Sequence, residues 1–301
     1  MGLMSYHEPV LLQECVEGLK IDPEGIYVDL TFGGGGHSRE ILKHLKSGHL
    51  FAFDQDKDAQ MNLIQDSRFT FIPHNFRYAK NFLRLHKAIP VNGILADLGI
   101  SSHQIDEPER GFSTRADGPL DMRMSAGMEK TAHSVINTYS EEQLTKMFRD
   151  NSDMHEARKL ARMLCNARSQ KSIDTIDDLK TVVTPLAQKG KENTFLSRVF
   201  QAIRIEVNDE VAALEEMLTQ LPELLAEGGR VVIISYHSLE DRLVKNLLKS
   251  GNTEGNIEKD FYGNPLVPFE SVTRKPIVPT DAELERNPRS RSAKLRIAEK
   301  I

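Results

Sequence analysis

The sequence predicts an α/β protein, a Rossmann-like and mostly parallel sheet with an inserted all-helical subdomain. Three observations predict it. Short apolar runs alternate with helical stretches over the first hundred residues, the pattern of parallel strands joined by crossover helices. The first run, residues 26–30, leads into four glycines at 33–36 and a helix that starts near His37. Residues 140–203 then read as helical throughout, with no strand between the helices.

The elements follow in order. Residues 10–19 carry helical apolar spacing (Val10, Leu11, Cys15, Val16, Leu19), which makes Cys15 a small core residue. The second strand, 49–53, ends in Asp54. A third, 69–72, leads to Phe76. A basic helix at 78–86 precedes the strand 91–96, which ends in Asp97. Residues 100–125 read as loop, dense in Ser, Asp, Arg and Gly. Ser140-Glu-Glu-Gln143 is a capping box, and Thr175 and Asp178 have the spacing of an N-cap and its N3 partner. Residues 154–168 have helix-forming composition. The strand 229–234 runs into Ser235-Tyr-His-Ser238. Extended runs near 271–277 and 292–297 are expected to complete the sheet as antiparallel edge strands. The expected domains are 1–104 with 208–301, discontinuous, and an insertion at 105–207.

Of 301 residues, 28% are charged and 39% hydrophobic, which suits a soluble globular protein. No apolar run approaches the ~20 residues of a membrane span. Residues 1–8 show no basic stretch followed by an apolar core, so no secretory signal is expected. These features point to the cytoplasm and to no membrane partner. Cys15 and Cys165 are far apart, which excludes a disulfide framework and a cysteine-rich metal site. No His pair has metal-ligand spacing, and no metal is expected. The net charge of −5 is unevenly spread. Residues 156–204 carry ten Lys/Arg against five Asp/Glu, and residues 270–301 carry eight against five. Such stretches either face a phosphate backbone or are solvated helix faces.

The glycine turn points to a cofactor. Glycines let backbone approach a ligand closely, and the helix start presents free N–H groups. Asp54 lies 18 residues after Gly36, about where a ribose-binding carboxylate belongs. In a dinucleotide fingerprint the third glycine would fall on Ser38 or Arg39, and no Lys-Ser/Thr pair directly follows the glycine run. A cofactor with ribose but no pyrophosphate fits better, and S-adenosyl-L-methionine is the common one. Gly35, Gly36, His37, Asp54, Phe76 and Asp97 all fall at strand ends, where ligands of open α/β sheets sit. Phe76 is either an adenine platform or a core residue. His37 would meet the cofactor carboxylate by its backbone N–H or its ring.

Asp97-Leu-Gly-Ile-Ser-Ser-His-Gln104 places a carboxylate, two hydroxyls and an amide after a buried strand. An exocyclic amine on a base is a weak nucleophile. A carboxylate such as Asp97 would accept its proton, which makes Asp97 the candidate catalytic residue. Carbon methylation of a pyrimidine usually needs a cysteine, but both cysteines fall on expected helices.

Several long motifs resemble one family. They are Thr31-Phe-Gly-Gly-Gly-Gly-His-Ser38, Asp97-Leu-Gly-Ile-Ser-Ser102, Glu109-Arg-Gly-Phe-Ser113 and Asp117-Gly-Pro-Leu-Asp-Met-Arg123, then Arg198-Val-Phe-Gln-Ala-Ile-Arg204, Ser235-Tyr-His-Ser-Leu-Glu-Asp-Arg242 and Asn287-Pro-Arg-Ser-Arg-Ser292. In order, from His7 to Glu299, they resemble the bacterial 16S ribosomal-RNA cytosine-N4 methyltransferases. The resemblance implies a Rossmann-like S-adenosylmethionine-dependent methyltransferase with an inserted helical domain that recognises substrate. It implies methylation at N4 of a cytidine in the decoding region of 16S rRNA. By motif, the cofactor contacts fall on Gly35, Gly36, His37, Asp54, Phe76, Asp97 and Gln104. Gly34 stands where some relatives have Arg, a change expected to be tolerated. Asp97-Leu-Gly stands where DNA amino-methyltransferases carry a Pro-Pro-aromatic motif. The partners implied are 16S rRNA or the small ribosomal subunit, with a homodimer left open. Two other readings stay open: a methyltransferase for another RNA or a protein, and a non-catalytic RNA-binding assembly factor with a cofactor site.

Overall fold

The computed structural model describes residues 9–301. The leader expectation and the His7 end of the resemblance lie outside the described residues. The strands are β1 (Ile26–Asp29), β2 (His49–Phe53), β3 (Phe69–Ile72), β4 (Val91–Asp97), β5 (Leu225–Ser235), β6 (Phe269–Ser271) and β7 (Lys294–Lys300). The helices are α1 (Leu12–Leu19), α2 (Gly36–His44), α3 (Ala79–Leu85), α4 (Ser102–Asp106), α5 (Ala132–Thr138) and α6 (Glu141–Ser152). They continue as α7 (Ala157–Arg168), α8 (Ile176–Val183), α9 (Glu192–Asn208), α10 (Glu210–Leu224), α11 (Ser238–Ser250) and α12 (Asp281–Arg286).

The chain forms two compact units. One runs through Gly99 and resumes from Val211 to Ile301; the other spans Ile100–Glu210. In the first, the strands form one sheet in the order β3-β2-β1-β4-β5-β7-β6. Strands β1 to β5 pair in parallel, and β7 runs antiparallel to both β5 and β6. The fold is therefore α/β and Rossmann-like, with β1 and β4 at its centre.

Period-two burial explains the strands. Val28, Ile94, Ala96, Val231 and Ile233 face a core shared with Leu83 of α3, Met217 and Leu221 of α10, and Val244 and Leu247 of α11. Tyr27, Leu50, Leu95, Val232 and Ile234 face the opposite core, with Cys15 and Leu19 of α1 and Ile41 of α2. Both faces are covered, so the central strands read as continuous apolar runs.

The C-terminal strands differ from expectation. The expected run 271–277 is a strand only at Phe269–Ser271, and Ile277 makes an isolated bridge to Leu295. The later run, β7, is not an edge strand: it lies between β5 and β6 because its apolar residues Leu295 and Ile297 are buried. Of the two C-terminal strands only β6 lies at an edge, and β3 forms the other edge of the sheet. The stretch 100–125 is not wholly loop either. A short helix, α4, forms there because Ser101 and Gln104 close a reciprocal capping box.

The second unit is helical around one core, built from Val135 of α5, Phe148 of α6, Leu160 of α7, Leu179 of α8 and Phe200 of α9. Ser140 and Thr175 cap α6 and α8. Buried Asn208, at the end of α9, stitches the irregular segment before α5 to that core. Its Nδ2 donates to the Met122 carbonyl at 2.7 Å, and its Oδ1 accepts the Met124 N–H at 2.7 Å. Met122 itself is held at φ 59°.

Asn208→Ala would leave a buried N–H and a buried carbonyl unpaired, so a loss of ~2–4 kcal/mol is expected. A urea titration of the full chain that finds the midpoint unmoved would show that this tie contributes nothing.

Candidate active site

Three carboxylates gather where adjacent parallel strands end. Asp29 closes β1, Asp97 closes β4, and Asp54 directly follows β2. Each is held differently, and the differences assign them different work.

Asp29 is the floor of the glycine turn. It is 1% exposed, accepts the Thr31 N–H at 3.0 Å, and takes the Ser38 hydroxyl at 2.6 Å. Those bonds fix the path from β1 into α2. Burial pushes its pKa up. Above it, Gly35 adopts φ 75°, and an added Cβ would stand 2.8 Å from the Phe32 ring. A Cβ on Gly36 would stand 2.2 Å from Pro9 Cγ. Gly34 is the exception: a Cβ there would meet nothing within 4 Å, which accounts for the tolerance expected of that position. Among the described residues no side chain caps α2, so its first N–H groups and positive dipole end suit a ligand.

Asp54 braces the same turn. Its Oδ2 accepts the Gly33 N–H at 2.7 Å, and its Oδ1 accepts the Asp56 N–H at 2.8 Å. Burial nonetheless raises its pKa to about 6. Each carboxylate oxygen has a second lone pair that can accept a ligand hydroxyl. Phe76 sits in a short 3-10 turn capped by Asn75 and is half-buried against the sheet core.

His37 is 6% exposed. Its ring Nε2 is 3.1 Å from the Val10 carbonyl, to which it donates, and its Nδ1 is 3.9 Å from Asp97 Oδ2, beyond hydrogen-bond reach. The ring is thus committed to the fold, and the backbone N–H is the part of His37 that remains at the helix start.

Asp97 is the carboxylate with capacity to spare. Its N–H donates to Thr31 Oγ1 at 2.6 Å, which fixes the strand end. Its Oδ1 accepts the Tyr236 hydroxyl at 2.7 Å. Its Oδ2 has no hydrogen bond among the described residues, and the side chain keeps 23% exposure. Burial raises its pKa to about 6, against the opposing pull of His37 and of the Tyr236 bond. Burial, and then Asp97, keep the Tyr236 phenol well above its usual range, so it stays a donor. Its backbone is fixed in turn by an N–H bond to Glu240 Oε2 at 2.8 Å.

Sequence reasoning named Asp97 but missed Tyr236. The available signal was its place just after β5, the neighbour of β4 in the sheet. Gln104 belongs to the helical unit. Its side chain is 5% exposed, and its Oε1 accepts the Ser101 N–H at 3.0 Å. Cys15 is fully buried on α1, and burial followed by Asp97 pushes its thiol up, which leaves it a neutral core residue. Cys165 lies on α7 in the helical unit.

Residues 4–301 match the model of the MraW methylase family. The chain belongs to that family. It is 57% identical over 298 residues to the ribosomal RNA small subunit methyltransferase H of Parabacteroides distasonis, covering 98% of each chain. It is 55% identical to proteins of the same name from Bacteroides thetaiotaomicron, over 99% of this chain, and Christiangramia forsetii, over the full length of both chains. It is a methyltransferase, and its cofactor is S-adenosyl-L-methionine.

The residues present fit that cofactor. Burial raises the Asp97 carboxyl to about 6, and a nearby sulfonium or amino group would favour its ionised form, while the spare lone pairs of Asp54 suit ribose hydroxyls. The uncapped α2 and the open turn at Gly34 suit a carboxylate and a close-lying backbone.

Removing the phenol donor should raise the Asp97 pKa further, since that bond stabilises the ionised form. A carbon-detected NMR titration of Tyr236→Phe should place Asp97 above the wild-type value. An identical titration would show that Tyr236 does not hold the carboxylate.

Proposed function

We propose that this protein methylates N4 of a cytidine in the decoding region of 16S rRNA, in the cytoplasm, with Asp97 as the catalytic residue. One observation carries the reading: relatives 54–57% identical along nearly the whole chain are named for methylation of small-subunit ribosomal RNA. The unspent Oδ2 of Asp97 supports the choice of an amine as acceptor.

When bound, S-adenosyl-L-methionine supplies a sulfonium methyl whose C–S bond breaks as the new N–C bond forms. The protein's part is alignment and proton handling. Asp97 Oδ2 accepts the hydrogen of the exocyclic amine and takes its proton, which then passes to solvent. Tyr236 holds Oδ1, so that the carboxylate presents a fixed edge. The cofactor would be held by Asp54 at its ribose hydroxyls, by Phe76 at its adenine and by the backbone N–H groups of the turn at Gly35, Gly36 and His37 at its methionine end. The helical unit recognises the RNA. Arg158, Lys159 and Arg162 support that last role, for all three are exposed on α7. Arg162 is partly offset by Glu141 at 3.5 Å.

The direct test incubates purified protein with tritiated cofactor and small-subunit RNA, then digests the RNA to nucleosides. Label in N4-methylcytidine is expected; label in protein or in another nucleoside contradicts the reading. Asp97→Asn should lower the single-turnover rate by ~10²–10⁴-fold at saturating cofactor. The wild-type rate should rise with pH through about 6, because a carboxyl with a raised pKa is protonated below that value and cannot accept the amine proton. A near-normal Asp97→Asn rate removes Asp97 from catalysis.

Asp54→Ala should weaken cofactor binding ~10- to 150-fold, the cost of one charged hydrogen-bond partner. Calorimetry on the folded variant that finds wild-type affinity contradicts the ribose assignment. Reversing Arg158, Lys159 and Arg162 should weaken RNA binding and flatten its salt dependence while leaving cofactor affinity in place. An unchanged salt slope would make that face merely solvated.

A further inference from the structure

Two motifs extend beyond the site as described: the stretch after β5, of which only Tyr236 reaches Asp97, and the Asn287-Pro-Arg-Ser-Arg-Ser292 turn. They meet. A cavity of about 310 Å³ has Tyr236, His237, Ser238, Arg291, Ser292 and Lys294 as its polar lining, all within the sheet unit. Tyr236 is shared with the active site through its bond to Asp97. Among the described residues, no Asp or Glu lines the cavity.

Some of its donors are spent, the Tyr236 hydroxyl on Asp97 and the Lys294 ammonium on Asp241, and others are not. Arg291 is exposed and has no ion pair or hydrogen bond among the described residues. The turn that carries it is rigid: buried Ser290 donates its hydroxyl to the Asn287 carbonyl at 2.8 Å, and Ala293 donates its N–H to Ser290 at 2.8 Å. Lys294 is 3.2 Å from Asp241, a carboxylate it shares with Arg296. The start of α11 forms another wall. The Glu240 N–H goes to His237 Nδ1 and the Asp241 N–H to the His237 carbonyl, which leaves those of Ser238 and Leu239 without partners among the described residues. His237 is 10% exposed. Since its Nδ1 accepts, Nε2 carries the proton. That Nε2 lies 3.1 Å from Glu240 Oε1 but off the line of a hydrogen bond, and it is a buried polar atom without a hydrogen bond.

A guanidinium, an ammonium shared with Asp241, two serine hydroxyls and a helix N-terminus, with no lining carboxylate among the described residues, suit an anion with several oxygens. We propose that this cavity binds a backbone phosphate of the acceptor RNA, beside the nucleotide whose amine Asp97 receives. The inference rests on the RNA acceptor proposed above. The cavity then fixes the register of the strand, while Asp97 selects the reacting group.

The test uses the full-length enzyme and unmethylated 30S particles from a strain that lacks it. Exposed Arg291 can be changed without disturbing the core. Arg291→Gln should raise KM for the particles about tenfold, the size of one charged hydrogen bond. It should also reduce the slope of log KM against log salt by about 0.7, the value for one phosphate contact on a single strand. The loss should fall on KM more than on kcat, cofactor affinity should hold, and Arg291→Lys should restore most of the KM. If Arg291→Gln keeps the wild-type KM and salt slope while the wild type methylates the particles, the phosphate subsite is wrong and the acceptor assignment stands. If the loss falls on kcat alone, Arg291 serves the reacting base and the subsite is again wrong. If the wild type methylates no RNA, the acceptor assignment fails and the subsite fails with it.

Discussion

The burial of three carboxylates at adjacent strand ends is the constraint on which the rest of the site depends. A buried carboxylate is costly unless it is paired or hydrogen-bonded. Asp29 is compensated by Thr31 and Ser38, and Asp54 by two backbone N–H groups. Among the described residues, the Asp97 carboxylate receives only the Tyr236 hydroxyl. The residual cost appears as pKa values of about 6 for Asp54 and Asp97. Both therefore bind protons more tightly in the fold than in the unfolded chain. Their ionisation costs stability as pH rises from about 4 to about 6. A cationic ligand beside either carboxylate would recover part of that cost once it is ionised.

The sheet supplies rigidity where chemistry needs it. Asp97 ends a strand whose neighbours on both sides are parallel, and its N–H is tied to Thr31 on the turn that α2 opens. The glycine turn, the proposed proton acceptor and the tyrosine that steadies it thus share one framework. Other family motifs serve the fold of the helical unit. Arg204 forms a two-point pair with Glu210 at 2.8 and 2.9 Å, Arg123 binds Asp121, and Arg198 donates to the Ser152 carbonyl. Their spacing in the sequence resembles that of functional residues, and only packing distinguishes them.

The sheet was legible because both of its faces are buried, which makes each central strand an apolar run that ends in a polar residue. Asp54 and Asp97 were legible for the same reason: a carboxylate after such a run stands out. Tyr236 was not, because its importance lies in a bond to a residue 139 positions away. The ring of His37 was misleading, since nothing local reveals that it reaches back to the Val10 carbonyl. Helix α4 was hidden because its capping box is followed by only five helical residues, too few for a periodic pattern. The interior place of β7 depends on pairing with β5, which composition does not encode.

The most direct test of the account is the modification state of small-subunit rRNA in cells. RNA from a strain lacking this protein should lose one N4 methyl group from a decoding-region cytidine. Wild-type protein should restore it, and Asp97→Asn, expressed at the same level, should not. An unchanged methylation map in the deletion strain would contradict the function. Full restoration by Asp97→Asn would contradict the mechanism.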